Sequence, residues 1–171
     1  MTRNPTTTRR GITLLELLVS VTLMVSVVTA VSVLLRVNYD TWLDYRSDSL
    51  RNDAAVGVLR HIVREVRQCE EVTLISGPGV PLGTLAVRMP NGNVVVWEHI
   101  GINVHYGISA ADQLLGDGIT GLRFVGYERD GITPATLPQD VQCVQVTVDF
   151  SLPSRATSSR TLTSKVWIRA F

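Results

Sequence analysis

Arg9-Arg10-Gly11-Ile12-Thr13-Leu14-Leu15-Glu16 opens the stretch whose reading decides the fold, and an apolar run follows it to Leu35. Leu17 to Leu35 is 19 residues without a charge, enough for a helix of roughly 29 Å, about one hydrocarbon core. Glu16 is the anomaly. An acid one turn inside an apolar span costs at least about 2.5 kcal/mol unless it is paired or surfaces. No Lys, Arg or His lies between Arg10 and Arg36, so the helix offers it no basic partner.

Cleavage between Gly11 and Ile12 would create one. The new ammonium would stand four residues before Glu16, one turn away on the same helix face. Gly11-Ile12-Thr13-Leu14-Leu15-Glu16 resembles the class III signal of type IV pilins and type II secretion pseudopilins. That resemblance implies that a membrane-embedded prepilin peptidase cuts after Gly11 and N-methylates Ile12, and that Glu16 is the acid used in assembly. Ile12 stands where phenylalanine is commoner in the family. The bland alternative is an uncleaved signal anchor with a stray acid.

Working outward, residues 1–11 read as a polar leader whose charges are Arg3, Arg9 and Arg10. Positive residues before a single span predict a cytoplasmic N terminus and a head on the far side. An ordinary secretory signal would need a small-residue cleavage site after its apolar region. Val28-Thr29-Ala30 supplies a small residue only at its end, and the run continues past it. Formal net charge is +1, and removing three leader arginines leaves 1 − 3 = −2 on mature side chains. No concentrated basic stripe remains to suggest nucleic acid as a partner.

The helical pattern does not stop at the membrane. No Pro or Gly occurs between Ile12 and Val56, and Gly57 is the one candidate break before Gly77. Trp42, Leu43, Leu50, Ala54, Leu59, Ile62, Val63 and Val66 recur at helical spacing and form an apolar stripe among Arg and Asp residues. One helix from Ile12 to about Gln68, roughly 85 Å long, would lie half in lipid (12–35) and half on a domain (36–70). Tyr39, Trp42 and Tyr45 read as an interfacial aromatic belt.

After Glu71 the chain becomes β-rich and is broken by Gly and Pro. Val72–Ile75, Thr84–Met89, Val94–Ile100, Asn103–Tyr106 and Leu122–Tyr127 read as strands, with Pro90-Asn91-Gly92-Asn93 as a hairpin turn. Ala110–Gly118 and Ile132–Asp140 read as loops. In the strand Val141–Phe150, Val144, Val146, Val148 and Phe150 share one face and Cys143, Gln145, Thr147 and Asp149 the other. Thr161–Phe171 is a further strand, with Leu162, Val166, Ile168 and Ala170 on its apolar side. The expected fold is α+β: one long N-terminal helix, transmembrane in its first half, packed on an antiparallel β-sheet head (71–171). A long helix whose far half packs on a small domain is also the pilin architecture.

The run Leu114-Leu115-Gly116-Asp117-Gly118-Ile119-Thr120-Gly121-Leu122-Arg123-Phe124 is similar to the J-type minor pseudopilin of type II secretion and to the W-type minor pilin. By resemblance the chain is a structural subunit near a filament tip, active in secretion, or alternatively in a type IV pilus or DNA-uptake filament. Its implied partners are the prepilin peptidase, sibling major and minor subunits and the inner-membrane assembly platform. The implied location is the bacterial inner membrane, single-pass, with a periplasmic head.

Chemistry is sparse, so no enzyme, cofactor or metal site is expected. His61 sits among Arg60 and Arg64; His99 and His105 could approach one another if their strands pair, but no Cys or carboxylate motif accompanies them. Asp112, Asp117 and Asp130 lie in loops without calcium-loop spacing and read as turn acids. Cys69 and Cys143 are a candidate disulfide, permitted outside the cytoplasm. The alternation turns Cys143 away from the helix, yet Cys69 could reach it from the following loop. A signal-anchored receptor or enzyme is the competing class.

Overall fold

A computed structural model of the chain describes residues 13–169; the expected cleavage site Gly11–Ile12, the leader and Ala170 lie outside them. Helix α1 spans Leu14–Gln68, 55 residues. Thr13 starts it, accepting the Leu17 amide at its carbonyl (3.1 Å) and the Glu16 amide at its hydroxyl (3.2 Å). Gly57 does not break it, because a glycine inside a helix costs only about 1 kcal/mol relative to alanine, and Ala55 and Val58 on either side of it are fully buried. The chain divides into two compact units, one ending at Leu43 and one comprising Asp44–Phe171.

In the first unit every described residue is exposed. This part of α1 is long and apolar enough to cross a membrane. A helix is apolar all round only when something other than water surrounds it.

The second unit packs the rest of α1 with two antiparallel sheets, an α+β arrangement. The first sheet runs in chain order: β1 (Glu71–Ile75), β2 (Thr84–Arg88), β3 (Val94–Ile100), β4 (Asn103–Ile108) and β5 (Gln113–Asp117). The second comprises β6 (Ile119–Tyr127), β7 (Cys143–Leu152) and β8 (Arg155–Trp167), also in order. Gly92, at φ 81°, makes the turn between β2 and β3, and its amide bonds Met89 carbonyl at 2.8 Å. Gly118, at φ 70°, alone separates β5 from β6 and switches the chain between sheets. Gly83 stitches the sheets, donating to Leu122 carbonyl at 2.8 Å, while Leu122 donates to Pro81 carbonyl at 2.8 Å.

One core is shared by all these layers. Ala55, Val58, Ile62 and Val66 of α1 are buried with Leu85, Val87, Trp97 and Val104 of the first sheet. Leu122, Phe124, Val144, Val146, Val148 and Val166 complete it from the second. Each fully buried Val, Leu or Phe contributes about 1.5–3 kcal/mol relative to exposure.

Four expectations are corrected. Two sheets replace the single sheet expected. The expected loop at Ala110–Gly118 contains β5, because Asn103↔Asp117 and His105↔Leu114 pairing gives its backbone partners that composition did not advertise. The apolar stripe lies on Ala55, Val58, Ile62 and Val66, with Leu59 and Val63 flanking it, and Leu50 is exposed. Around Leu50 the contacts of α1 are polar: Asp48 accepts from Ser154 and Arg51 pairs with Asp117 at 2.8 Å. Finally, β8 starts at Arg155, well before Thr161, because β7 and β8 form a hairpin closed at Leu152↔Arg155.

Candidate functional site

The apolar segment of α1 is the first candidate. Its sequence contains five Ser and Thr residues beyond Thr13, at Ser20, Thr22, Ser26, Thr29 and Ser32, which look out of place in hydrocarbon. Each turns back on its own helix and donates to a carbonyl three or four residues earlier, at 2.8–2.9 Å. The helix therefore satisfies its own hydroxyls, as any segment crossing hydrocarbon would have to.

Glu16 is exposed in the first turn. Thr13-Leu14-Leu15-Glu16 has the spacing of a capping box, with the threonine hydroxyl bonding the Glu16 amide. That signal was present in the sequence, and the half of it the structure shows is the threonine cap on the Glu16 backbone amide. Its carboxylate also meets the partial positive charge of the helix N terminus, worth about 0.3–1 kcal/mol at exposed sites. Gly11 and Ile12, the expected processing pair, lie outside the described residues.

Tyr39 and Trp42 stack, with ring centroids 6.2 Å apart. An exposed aromatic pair past an apolar span suits a membrane interface.

In the second unit the three histidines go to three places. His99 is buried, its Nε2 lying 2.9 Å from Ile119 carbonyl and its Nδ1 without a partner among the described residues. His105 pairs across from Glu98, whereas His99 pairs with Val104, so adjacent strands hold the two rings on opposite faces. Proximity along the strands therefore does not bring them together. His61 accepts a hydrogen bond at Nδ1 from Trp97 Nε1 at 3.3 Å and meets Trp97 and Tyr106 edge-on. Burial lowers its pKa, Glu65 opposes that shift and Arg64 adds to it.

The acids do not converge either. Asp117 is held by Arg51. Asp130 accepts from the Thr133 hydroxyl at 2.6 Å and from the amides of Ile132 and Thr133 at 2.9 Å, bonds that lower its pKa. Among the described residues no group of three or more His, Cys, Asp or Glu could hold a metal.

Cys69 and Cys143 are both buried free thiols, so the weighed disulfide is not formed. Cys69 lies in the core and donates to Val66 carbonyl at 3.1 Å. Cys143 pairs across from Tyr127 and Trp167, on the face of the second sheet opposite the core-facing Val144. The sheet itself stands between the two sulfurs. Burial pushes the Cys69 thiol up to about 11 and raises Cys143 as well, so neither is a ready nucleophile.

A groove of about 370 Å³ lies between α1 and β8, lined by Leu59, Arg60, Val63, Arg64, Arg67 and Ser164, with Gln68 at one end. Sequence reading had these arginines only as charged residues around the helical stripe and missed that the open edge of β8 runs beside them.

Comparison with known protein families found no family that matches this chain. Comparison with curated proteins found no match either.

Proposed function

We propose that this chain is a minor pseudopilin-like subunit of a type II secretion machine. In this reading prepilin peptidase cuts between Gly11 and Ile12 and methylates Ile12. The apolar part of α1 then leaves the inner membrane to pack among sibling helices, and the β-rich unit is displayed in the periplasm at or near the filament tip. The observation that carries the reading is one uninterrupted helix, Leu14–Gln68, that is exposed and apolar at its start and buried in an α+β core at its end. An anchor alone would not need its helix to enter the core of the head.

Glu16 supports the same reading. The acid is exposed and the described helix has no basic residue before Arg36. A carboxylate in hydrocarbon requires a cation, and the mature Ile12 amine of a neighbouring copy would supply it. That pairing would set the axial stagger between subunits.

The reading is tested on protein from native membranes with the peptidase active. Sequencing should give a methylated Ile12 as the N terminus, and replacing Gly11 by a bulky residue should block the cut, because glycine lets an extended backbone approach the peptidase closely. An intact Met1 terminus would overturn it. Loss of secretion against loss of piliation on deleting the gene separates the pseudopilin from a W-type minor pilin.

A further inference from the structure

The edge of β8 and the arginines of α1 make one surface. In the second sheet β8 pairs with β7 alone, and no strand lies on its other side among the described residues. Ile168 donates to Gln142 carbonyl at 3.0 Å. In the same register, Val144↔Val166, Val146↔Ser164 and Val148↔Leu162 send the amides of Leu162, Ser164 and Val166 toward β7. Antiparallel alternation then turns the amides of Thr161, Thr163, Lys165 and Trp167 to the open side. Four donors and their carbonyls form a template for another strand.

Beside this edge stands a row of cations. Arg60, Arg64 and Arg67 are exposed and line the groove with Ser164. Arg64 bonds its sequence neighbour Glu65 at 2.9 Å, while Arg60 and Arg67 make no ion pair among the described residues. Arg60 and Arg64 are about 6 Å apart along the helix axis, and alternate side chains of a strand are about 6.8 Å apart. Acids at every second position of an added strand would match Arg60 and Arg64 in spacing and sign, with Leu59 and Val63 as an apolar floor. Arg67, about 4.5 Å further along the axis, adds positive charge beside them.

We propose that the head captures an extended acidic segment of another protein, which adds to β8 as a fourth strand and lays alternate carboxylates on Arg60 and Arg64, with Arg67 adding positive charge beside them. Backbone pairing holds the segment and the arginines select its charge. The surface lies wholly on the Asp44–Phe171 unit and stands whether or not α1 polymerises.

The test uses the full chain in detergent micelles and a nine-residue peptide alternating valine with glutamate. Its controls are the same peptide with lysine or serine replacing glutamate. Amide exchange at Thr161, Thr163, Lys165 and Trp167 should slow about tenfold or more on saturation, while Leu162, Ser164 and Val166, already bonded to β7, should not change. Reversing Arg60 and Arg64 together to Glu should abolish binding of the glutamate peptide and create binding of the lysine peptide. Thr163→Pro removes an outward donor but no bond to β7, so the fold should persist and capture should be lost. Equal binding of all three peptides, binding without protection of the four outward amides, or full binding by Thr163→Pro would each overturn the proposal. So would concentration-dependent protection of the same amides without peptide, which would assign the edge to a second copy.

Discussion

Gly116→Ala is the sharpest probe of how α1 docks in the head. A β-carbon on Gly116 would lie 2.5 Å from Val58 Cγ2 and 3.7 Å from Ala54 carbonyl oxygen. Carbon atoms in good contact sit about 3.5–4.0 Å apart, so the methyl overlaps by about 1 Å. Val58 is fully buried, and a β-branched side chain in a helix has essentially one χ1 rotamer. It cannot step aside, and the overlap must move α1 or β5. Overpacking of this kind costs about 1–3 kcal/mol. With a urea slope of about 2 kcal/mol/M, the unfolding midpoint should fall by about 1 M, read from the fluorescence of buried Trp97 in the micelle-bound chain. Val58→Ala alone should cost about 2 kcal/mol. Together the two changes should cost less than their sum, by about 0.5 kcal/mol or more, because the second removes the methyl the first collides with. Additivity within experimental error would show that Gly116 does not abut Val58.

Val146 sits in the second sheet between Phe124 and Ser164 and is fully buried, so Val146→Asp should abolish cooperative unfolding or cause aggregation; a soluble variant with native-like melting contradicts the assigned face. For His61, burial lowers the folded pKa below the ordinary 6.5, so the folded head binds fewer protons than the unfolded chain. Its contribution is present above pH 6.5 and is lost as pH falls through the lowered value, and the urea midpoint should drop in that window, less so in His61→Phe. Equal pH dependence in wild type and His61→Phe would refute it. Glu16→Ala and Glu16→Gln should leave membrane insertion and head stability unchanged, because the Thr13 cap engages the Glu16 backbone. If the chain assembles as proposed above, both should lower cross-linking to its neighbouring subunits, and normal cross-linking by both variants would make the charge incidental.

Much of this was legible in the sequence, for physical reasons. The absence of helix breakers before Gly57 and the charge-free run to Leu35 announced α1. Strict alternation in β7 fixed which valines face inward, and all of Leu122, Phe124, Val144, Val146, Val148, Val166 and Ile168 lie in the core. β5 was not legible, since Gln-Leu-Leu-Gly-Asp lacks alternation and its glycine is there to admit Val58, a fact of packing and not of propensity. The division into two sheets hangs on a single left-handed glycine, Gly118. The shift of the helical stripe from Leu50 to Ala55 follows from two polar contacts, at Asp48 and Arg51, whose partners lie far along the chain. The groove beside β8 was hidden for the same reason: a sequence shows neither which strand ends a sheet nor which helix face stands next to it.

The burial of α1 in the head has a mechanical consequence. Ala55, Val58, Ile62 and Val66 are spread over roughly 16 Å of helix axis. A pull along that axis does not peel them away one by one, since sliding the helix displaces all four from their pockets together. The head resists tension in shear, and its weak direction is sideways, where the helix could lift one turn at a time.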